Sequence, residues 1–169
     1  LLMPGLYNCH THAAMTLFRG YGEDMPLDRW LHEKIFPAED LLTSRAVYNA
    51  SMLAIAEMIR GGTVSFSDMY FFCDDTGIKA NISRSITSFD PDIDMSRDRR
   101  FDEAKALYSE WNNAEDGRIK IDISLHAEYT NVPRACIEVG KYAAEHGANL
   151  HIHLSETESE HEQCKERHG

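Results

Sequence analysis

The sequence has few cysteines and no excess of positive charge. Its four cysteines, Cys9, Cys73, Cys136 and Cys164, are widely spaced and include no C-x-x-C pair. This pattern argues against a disulfide framework and favours reduced thiols in a cytoplasmic protein. The 17 basic residues are outnumbered by 28 acidic ones, for a formal net charge of −11. That balance disfavours a nucleic-acid backbone or an anionic membrane as the main partner.

Long apolar runs are also missing. No run approaches the ~20 residues that a membrane-spanning helix needs, and residues 1–8 show neither a basic leader nor a cleavage pattern, so we expect no secretory signal. Apolar residues make up 43% of the 169 positions and charged residues 27%, which is typical of one soluble globular domain.

Apolar, β-branched runs alternate with amphipathic helical segments along the chain. The spacing predicts a first strand that follows residues 1–8, further strands at 63–70, 78–86, 118–126 and 149–154, and helices at 42–62, 101–113, 132–147 and 155–169. Thr43 or Ser44 can cap the first helix. Alternating strands and helices predict a parallel sheet of βαβ units. The join at 71–77 does not fit, because a parallel crossover needs at least ~10–12 residues.

Two H-x-H pairs lie at the ends of predicted strands. His10 and His12 end the first strand, and His151 and His153 end the fifth, followed by Glu156. Side chains two residues apart on a strand share a face, and imidazole is a common ligand of zinc and similar ions. One such pair is a weak signal, but two pairs at strand ends indicate a metal site. In a parallel barrel, strand ends converge on one site.

Four segments together carry a family resemblance. They are "PGLYNCHTHAAMTLFRGYGEDMPLDRWLHEKIFPAE", "SFSDMYF", "SLHAEYT" and "LHIHLSETESE". The sequence resembles the amidohydrolase superfamily, and within it the branch that contains 5′-methylthioadenosine/S-adenosylhomocysteine deaminases. The resemblance implies an α/β fold, the (β/α)8 TIM barrel of metal-dependent hydrolases. It also implies hydrolytic deamination of an adenine nucleoside with release of ammonia.

The resemblance assigns roles to individual residues by position. His10, His12 and His153 match the metal ligands, for one divalent ion that is zinc, iron or manganese, with zinc favoured. Glu156 matches the acid that handles a proton on the substrate ring. A divalent metal lowers the pKa of the water that it binds. Hydroxide is then available for hydrolysis near neutral pH. His151 is expected to pack or hydrogen-bond inside the barrel.

Three further residues are predicted to bind substrate. Glu39 matches a position that contacts ribose hydroxyls, although an exposed loop carboxylate is the alternative. Arg84 is predicted to bind the amino-acid carboxylate of S-adenosylhomocysteine, with a surface salt bridge as the alternative. His126 is expected to contact substrate, or else to be a structural histidine.

The length of the chain limits this interpretation. A complete TIM barrel takes ~250 residues, so we expect residues 1–169 to be the N-terminal portion of such a catalytic domain, with about five strands and no second domain. The alternatives are an amidohydrolase acting on guanine, a pterin or a triazine, and an inactive truncated metal-binding fragment. The resemblance implies a small-molecule substrate and, for barrels of this kind, a homo-oligomer.

Overall fold

The structure is a computed structural model, and it describes residues 2–70 and 78–169. The short join predicted at 71–77, with Cys73, lies outside the described residues. The chain divides into two compact units, Leu1–Ala80 and Asn81–Gly169. In the described part of the chain, no helix combines the length and apolar character needed to cross a membrane.

The first unit contains a parallel strand pair and the helices that connect its strands. β1 (Leu6–Thr11) pairs with β2 (Thr63–Asp68), with Leu6 opposite Thr63 and Thr11 opposite Asp68. The connection consists of a 3₁₀ helix (Ala13–Phe18), α1 (Leu27–Trp30), a π-helical turn (Leu31–Ile35), α2 (Phe36–Glu39) and α3 (Ser44–Arg60). The sequence pattern did not predict the helical segments between 13 and 39, because they are short and lack a clear apolar period.

The longest helix of this unit, α3, begins and ends as predicted. The side chain of Thr43 accepts a hydrogen bond from the main-chain N–H of Ala46 at 3.2 Å, and Gly61 follows the last helical residue. Small buried residues let α3 pack closely on the 3₁₀ helix, with Ala14 against Ala50 in one apolar cluster. Thr16 Oγ1 also donates to the carbonyl of Ala50 at 2.8 Å. This packing fixes the segment that directly follows β1.

The second unit contains nearly all of β3 and the two strands that follow it. β3 (Lys79–Ile86), β4 (Ile119–Ala127) and β5 (Leu150–His153) lie side by side in that order, and β4 pairs with β5 in parallel. The helical elements are a 3₁₀ turn (Met95–Arg97), α4 (Arg99–Trp111), the short turn α5 (Ala114–Gly117), α6 (Pro133–His146) and α7 (Glu158–His168). The predicted strands and long helices are therefore all present.

β4 separates an apolar face from a polar face. Ile123 and Leu125 are almost fully buried in one cluster with Phe101 of α4 and Val139 of α6, and each such side chain contributes about 1.5–3 kcal/mol when it leaves water. Because side chains alternate along a strand, the even-numbered residues of β4 point to the other face. His126 therefore lies on the face opposite to the helices.

A buried carboxylate stabilises that polar face. Asp122 is buried, and its two oxygens accept hydrogen bonds from the side-chain amides of Asn81 and Asn149, both at 3.0 Å. The two amides offset the cost of removing the carboxylate from water. Asn81, Asp122 and His126 thus belong to the same side of the sheet in this unit.

Candidate active site

The first H-x-H pair has the geometry that strand alternation predicts. The rings of His10 and His12 lie with centroids 5.0 Å apart at an interplanar angle of 77°. His10 is the last but one residue of β1 and is exposed, and His12 directly precedes the 3₁₀ helix and is partly buried. Both imidazoles thus belong to one side of β1, where their nitrogens can serve one ligand.

A buried aspartate, Asp68, contacts the residues on either side of His12. Asp68 Oδ1 accepts a hydrogen bond from Thr11 Oγ1 at 2.6 Å and from the main-chain N–H of Ala13 at 2.7 Å. Burial raises the pKa of Asp68 from 3.8 to about 6, and the hydrogen bonds from Thr11, Ala13 and the main chain of Tyr70 oppose that rise. Asp68 therefore fixes the residues on both sides of His12. This role of Asp68 was not predicted from the sequence.

Glu39 belongs to a partly buried cluster in the same unit. It ends α2, and one of its carboxylate oxygens accepts a short hydrogen bond from the hydroxyl of Tyr70. The ring of Tyr70 also lies 5.8 Å from the ring of His12, measured between centroids. Burial raises the pKa of Glu39, whereas the bond from Tyr70 lowers it. Glu39 is therefore not the exposed loop carboxylate that was its alternative interpretation.

The second unit brings His126 and His153 together. Their ring centroids are 4.9 Å apart, and Nδ1 of His153 lies 2.8 Å from the main-chain carbonyl oxygen of His126. A carbonyl oxygen can only accept, so Nδ1 of His153 carries the proton. In the neutral ring, Nε2 then keeps its lone pair, which is the form a metal ligand requires.

Burial disfavours the charged form of His126, although the nearby carboxylates of Glu156 and Glu160 oppose this effect. Burial lowers the pKa of His126, and the neighbouring His153 lowers it further. Its Nδ1 lies 3.0 Å from Thr130 Oγ1. A neutral imidazole offers one donor and one acceptor, so His126 can exchange hydrogen bonds with a polar substrate group. Burial likewise lowers the pKa of His151, which is partly buried as expected.

Glu156 lies in the loop between β5 and α7 and is exposed to solvent. The hydroxyl of Tyr129 donates a hydrogen bond to Glu156 Oε2 at 2.9 Å. This contact uses one of the two carboxylate oxygens of Glu156. Glu156 was predicted from the sequence but Tyr129 was not, although its position three residues after His126 was an available signal.

Arg84 lies on the helix side of β3. It is three residues from Asn81 and two from Ile86, so alternation places it on the face of Ile86, which packs in the apolar cluster. Its Nε donates to Glu103 Oε2 of α4 at 3.2 Å. The structure thus favours the salt bridge, which was the alternative for Arg84, over the predicted role in binding a substrate carboxylate.

Comparison with known proteins defines the class of this chain. The family model of the amidohydrolase family matches residues 1–169. The chain therefore belongs to the amidohydrolase family, as the sequence resemblance indicated.

Two curated relatives are similar over the whole chain. The chain is 46% identical to a 5-methylthioadenosine/S-adenosylhomocysteine deaminase of Dictyoglomus thermophilum, with 100% of this chain and 40% of that protein covered. It is 44% identical to a 5′-deoxyadenosine deaminase of Methanosarcina mazei, again with 100% and 40% covered. The chain thus spans about 40% of the length of these relatives.

Solved structures agree with the described fold. An adenosine deaminase from Xanthomonas campestris with bound zinc matches at a TM-score of 0.86 and 34% identity, over 99% of this chain and 39% of that one. A guanine deaminase from C. acetobutylicum matches at a TM-score of 0.82 and 20% identity, over 98% and 43%, which concerns the fold alone. The predicted fold class, the TIM barrel of metal-dependent hydrolases, is confirmed by these structures.

Proposed function

We propose that residues 1–169 form a portion of the TIM-barrel catalytic domain of a metal-dependent hydrolytic deaminase. The proposed substrate is an adenine nucleoside such as S-adenosylhomocysteine or 5′-methylthioadenosine. The observation that carries the proposal is the 46% identity, over the whole chain, to a protein named as a deaminase of these two compounds. The enzyme class is a hydrolase acting on C–N bonds other than peptide bonds.

His10, His12 and His153 are the proposed ligands of one divalent ion, with zinc favoured. The donor chemistry fits, because His10 and His12 lie ring to ring at 5.0 Å and the hydrogen bond of His153 Nδ1 reserves Nε2 for a ligand. The zinc bound in the adenosine deaminase of Xanthomonas campestris supports this choice. When bound, such an ion would lower the pKa of water at the site and so favour hydrolysis near neutral pH.

The proposed reaction adds the oxygen of water to the adenine carbon that bears the amino group. The C–N bond then breaks, and the nitrogen leaves as ammonia after it gains a proton, so a carbonyl replaces the amino group. Attack on the aromatic ring requires a proton on the neighbouring ring nitrogen. Glu156 is the proposed source of that proton, because Tyr129 occupies only one of its oxygens.

Two further residues orient the nucleoside in this proposal. Glu39, held by Tyr70, accepts hydrogen bonds from ribose hydroxyls with its second oxygen. His126, whose pKa is lowered by burial, exchanges a hydrogen bond with the purine. Arg84 has no assigned role in binding, given its ion pair with Glu103.

The predicted setting of the protein belongs to this proposal as well. We propose a cytoplasmic enzyme whose partner is a small molecule, without nucleic-acid or membrane binding. The net charge of −11 and the free thiols of Cys9, Cys136 and Cys164 support that setting. A homo-oligomer stays a prediction from the resemblance.

A panel of substrates tests the proposed function. The intact protein is incubated with S-adenosylhomocysteine, 5′-methylthioadenosine, 5′-deoxyadenosine, adenosine, guanine, a pterin and a chloro-triazine. Ammonia, or chloride for the triazine, is measured together with the metal content of the same sample. We expect ammonia from the adenine nucleosides. Turnover of guanine, the pterin or the triazine alone would replace the substrate assignment, and no turnover by zinc-loaded protein would favour the inactive metal-binding alternative.

A further inference from the structure

A buried carboxylate holds the main chain that carries Glu156. Glu160 of α7 is only 4% exposed, and its two oxygens accept hydrogen bonds from two consecutive main-chain N–H groups. Oε1 accepts from Ser155 at 3.2 Å, and Oε2 accepts from Glu156 itself at 2.6 Å. Neither the proposed chemistry nor the family comparison assigns a role to Glu160.

The local sequence explains how Glu160 reaches this position. Thr157 caps α7, and its Oγ1 accepts a hydrogen bond from the main-chain N–H of Glu160 at 3.1 Å. This is half of a T-x-x-E capping box, in which the glutamate ordinarily bonds back to the N–H of the cap residue. Here the carboxylate reaches past Thr157 to the two residues before it. Glu160 therefore holds the loop that precedes α7. We call its two hydrogen bonds, from the main-chain N–H groups of Ser155 and Glu156, the clamp.

The clamped loop has a conformation that needs support. Ser155 has a φ of +55°, in the left-handed region that costs a non-glycine residue about 1–2 kcal/mol. Such conformations persist where the surroundings determine them, and they are frequent at functional sites. Two charge-assisted hydrogen bonds to consecutive N–H groups supply that determination. They also fix the direction in which the Glu156 side chain leaves the main chain.

We propose that Glu160 is a positioning residue that holds Glu156 in place for proton transfer to the substrate ring. Tyr129 restrains the side-chain carboxylate of Glu156, and Glu160 restrains its main-chain N–H group. The inference rests on the proposed deaminase function, because it deepens the role assigned to Glu156. It adds a residue that acts through Glu156 and does not itself touch the substrate.

The test compares Glu160→Gln with Glu158→Gln in the intact protein. Glutamine keeps the size of the side chain but replaces one acceptor oxygen by an NH₂ donor, so one of the two loop contacts is lost. Glu158 lies in the same first turn of α7, is exposed, and loses the same charge when changed. Both variants are assayed on the best adenine nucleoside and on its 6-chloro analogue.

The ratio of the two rates separates positioning from loss of folded enzyme. Water must add to the ring of both compounds, but the electron-withdrawing chlorine activates the ring carbon, whereas the amino group donates electrons to the ring. Dechlorination therefore depends less than deamination on protonation of the ring nitrogen by Glu156, and chloride also leaves without a proton. In Glu160→Gln we expect the ratio of deamination to dechlorination to fall about tenfold, because misplacing a proton donor costs up to about a hundredfold. In Glu158→Gln the ratio is expected to stay at the wild-type value. An unchanged ratio in both variants would remove the positioning role while the deaminase function stands.

Amide hydrogen exchange tests the clamp without any activity. In a peptide that covers residues 150–160, Glu160→Gln is expected to expose at least one of the two clamped amides to faster exchange, and Glu158→Gln is not. If the wild-type protein deaminates nothing, the proposed function fails, and the positioning role fails with it. Exchange that is identical in wild type and Glu160→Gln would show that the clamp is absent.

Discussion

Nδ1 of His153 donates a hydrogen bond to the main-chain carbonyl oxygen of His126 at 2.8 Å, across the parallel pair of β4 and β5. This contact fixes the tautomer of His153, since the carbonyl can only accept. It also ties the proposed metal ligand to the backbone of a residue expected to contact substrate. The orientation of the His153 ring therefore depends on the position of β4, the strand that carries His126.

The first prediction concerns the metal-binding role of His153. In His153→Asn, the side-chain NH₂ can replace Nδ1–H as donor to the carbonyl of His126, but the ligand atom Nε2 is lost. We expect the affinity for zinc to fall by more than about a hundredfold, which is the upper end of what losing an outer-shell partner costs. Zinc affinity is measured by competition with a chelator, followed by metal analysis.

The matched control for this prediction is His151→Asn. His151 lies two residues earlier on β5 and on the same face, so the substitution makes the same chemical change one step along the strand. We expect this variant to retain zinc. Equal zinc affinity in His153→Asn and wild type would contradict the ligand assignment.

The strands and long helices could be predicted because local signals define them. Apolar β-branched runs mark β2 to β4, and the Thr43 cap marks the start of α3. The contacts of the site could not be predicted in this way. Tyr70 and Glu39 are 31 positions apart, and Tyr129 and Glu156 are 27 apart, so only tertiary packing reveals that they meet.

The sequence contained a signal for the face of β3 on which Arg84 lies, although the position of Arg84 along the strand did not reveal that face. Arg84 was predicted to bind substrate because it lies at the end of a strand, where the family resemblance implies a cation for a substrate carboxylate. However, it alternates in phase with Ile82 and Ile86, both buried, and side chains in phase share a face. The period of the strand thus indicated the helix side. The tertiary partner, Glu103, could be identified only from the structure.

The second prediction concerns the contact between Tyr70 and Glu39. Tyr70→Phe removes the hydroxyl that holds the Glu39 carboxylate. If Glu39 binds ribose, we expect KM for the nucleoside to rise about tenfold, which is the lower end of what losing one hydrogen bond to a charged group costs. The KM for the free base adenine, if it is turned over, is expected to stay unchanged. Steady-state kinetics on both compounds make the measurement.

Tyr21→Phe is the control for this change. Tyr21 lies in the same unit, in the exposed segment before α1, and the substitution removes the same hydroxyl group. A tenfold rise in KM for adenine as well as for the nucleoside would show that Tyr70 supports the site as a whole rather than ribose recognition.

The third prediction concerns the pH dependence of stability. Burial raises the pKa of Asp68 from 3.8 to about 6 in the folded protein, so the folded state retains this proton where the unfolded chain has lost it. The free energy of unfolding should therefore fall as the pH rises from about 4 to about 6, and level off above that range. The fall attributable to Asp68 is about 3 kcal/mol at most, from 1.36 kcal/mol for each pH unit.

The measurement compares denaturant unfolding of metal-free wild type with that of Asp68→Asn between pH 4 and pH 7. Asparagine keeps an oxygen that can accept from Thr11 and Ala13 but cannot ionise. The difference in unfolding free energy, wild type minus variant, is expected to decrease with pH. Asp40→Asn, at an exposed position, removes the same charge and is the control for the change in net charge. A flat difference for Asp68→Asn would contradict the raised pKa.

The fourth prediction separates the two interpretations of Arg84. Arg84 and Arg99 both pair with Glu103, at 3.2 and 3.1 Å, but the side chain of Arg84 is 28% exposed and that of Arg99 is 83% exposed. Exposed pairs contribute about 0–1 kcal/mol, and the aliphatic stem of a half-buried arginine adds packing. Arg84→Ala is therefore expected to lower the melting temperature more than Arg99→Ala. Differential scanning fluorimetry measures both.

The same two variants decide whether Arg84 recognises a carboxylate. Because Arg84 lies on the helix side of β3, we expect Arg84→Ala to leave the ratio of kcat/KM for S-adenosylhomocysteine to that for 5′-methylthioadenosine unchanged. Only the first of these compounds carries an amino-acid carboxylate. A selective loss of tenfold or more on S-adenosylhomocysteine, absent in Arg99→Ala, would restore the binding role. It would also require Arg84 to leave Glu103 when substrate binds, which a structure of the complex would reveal.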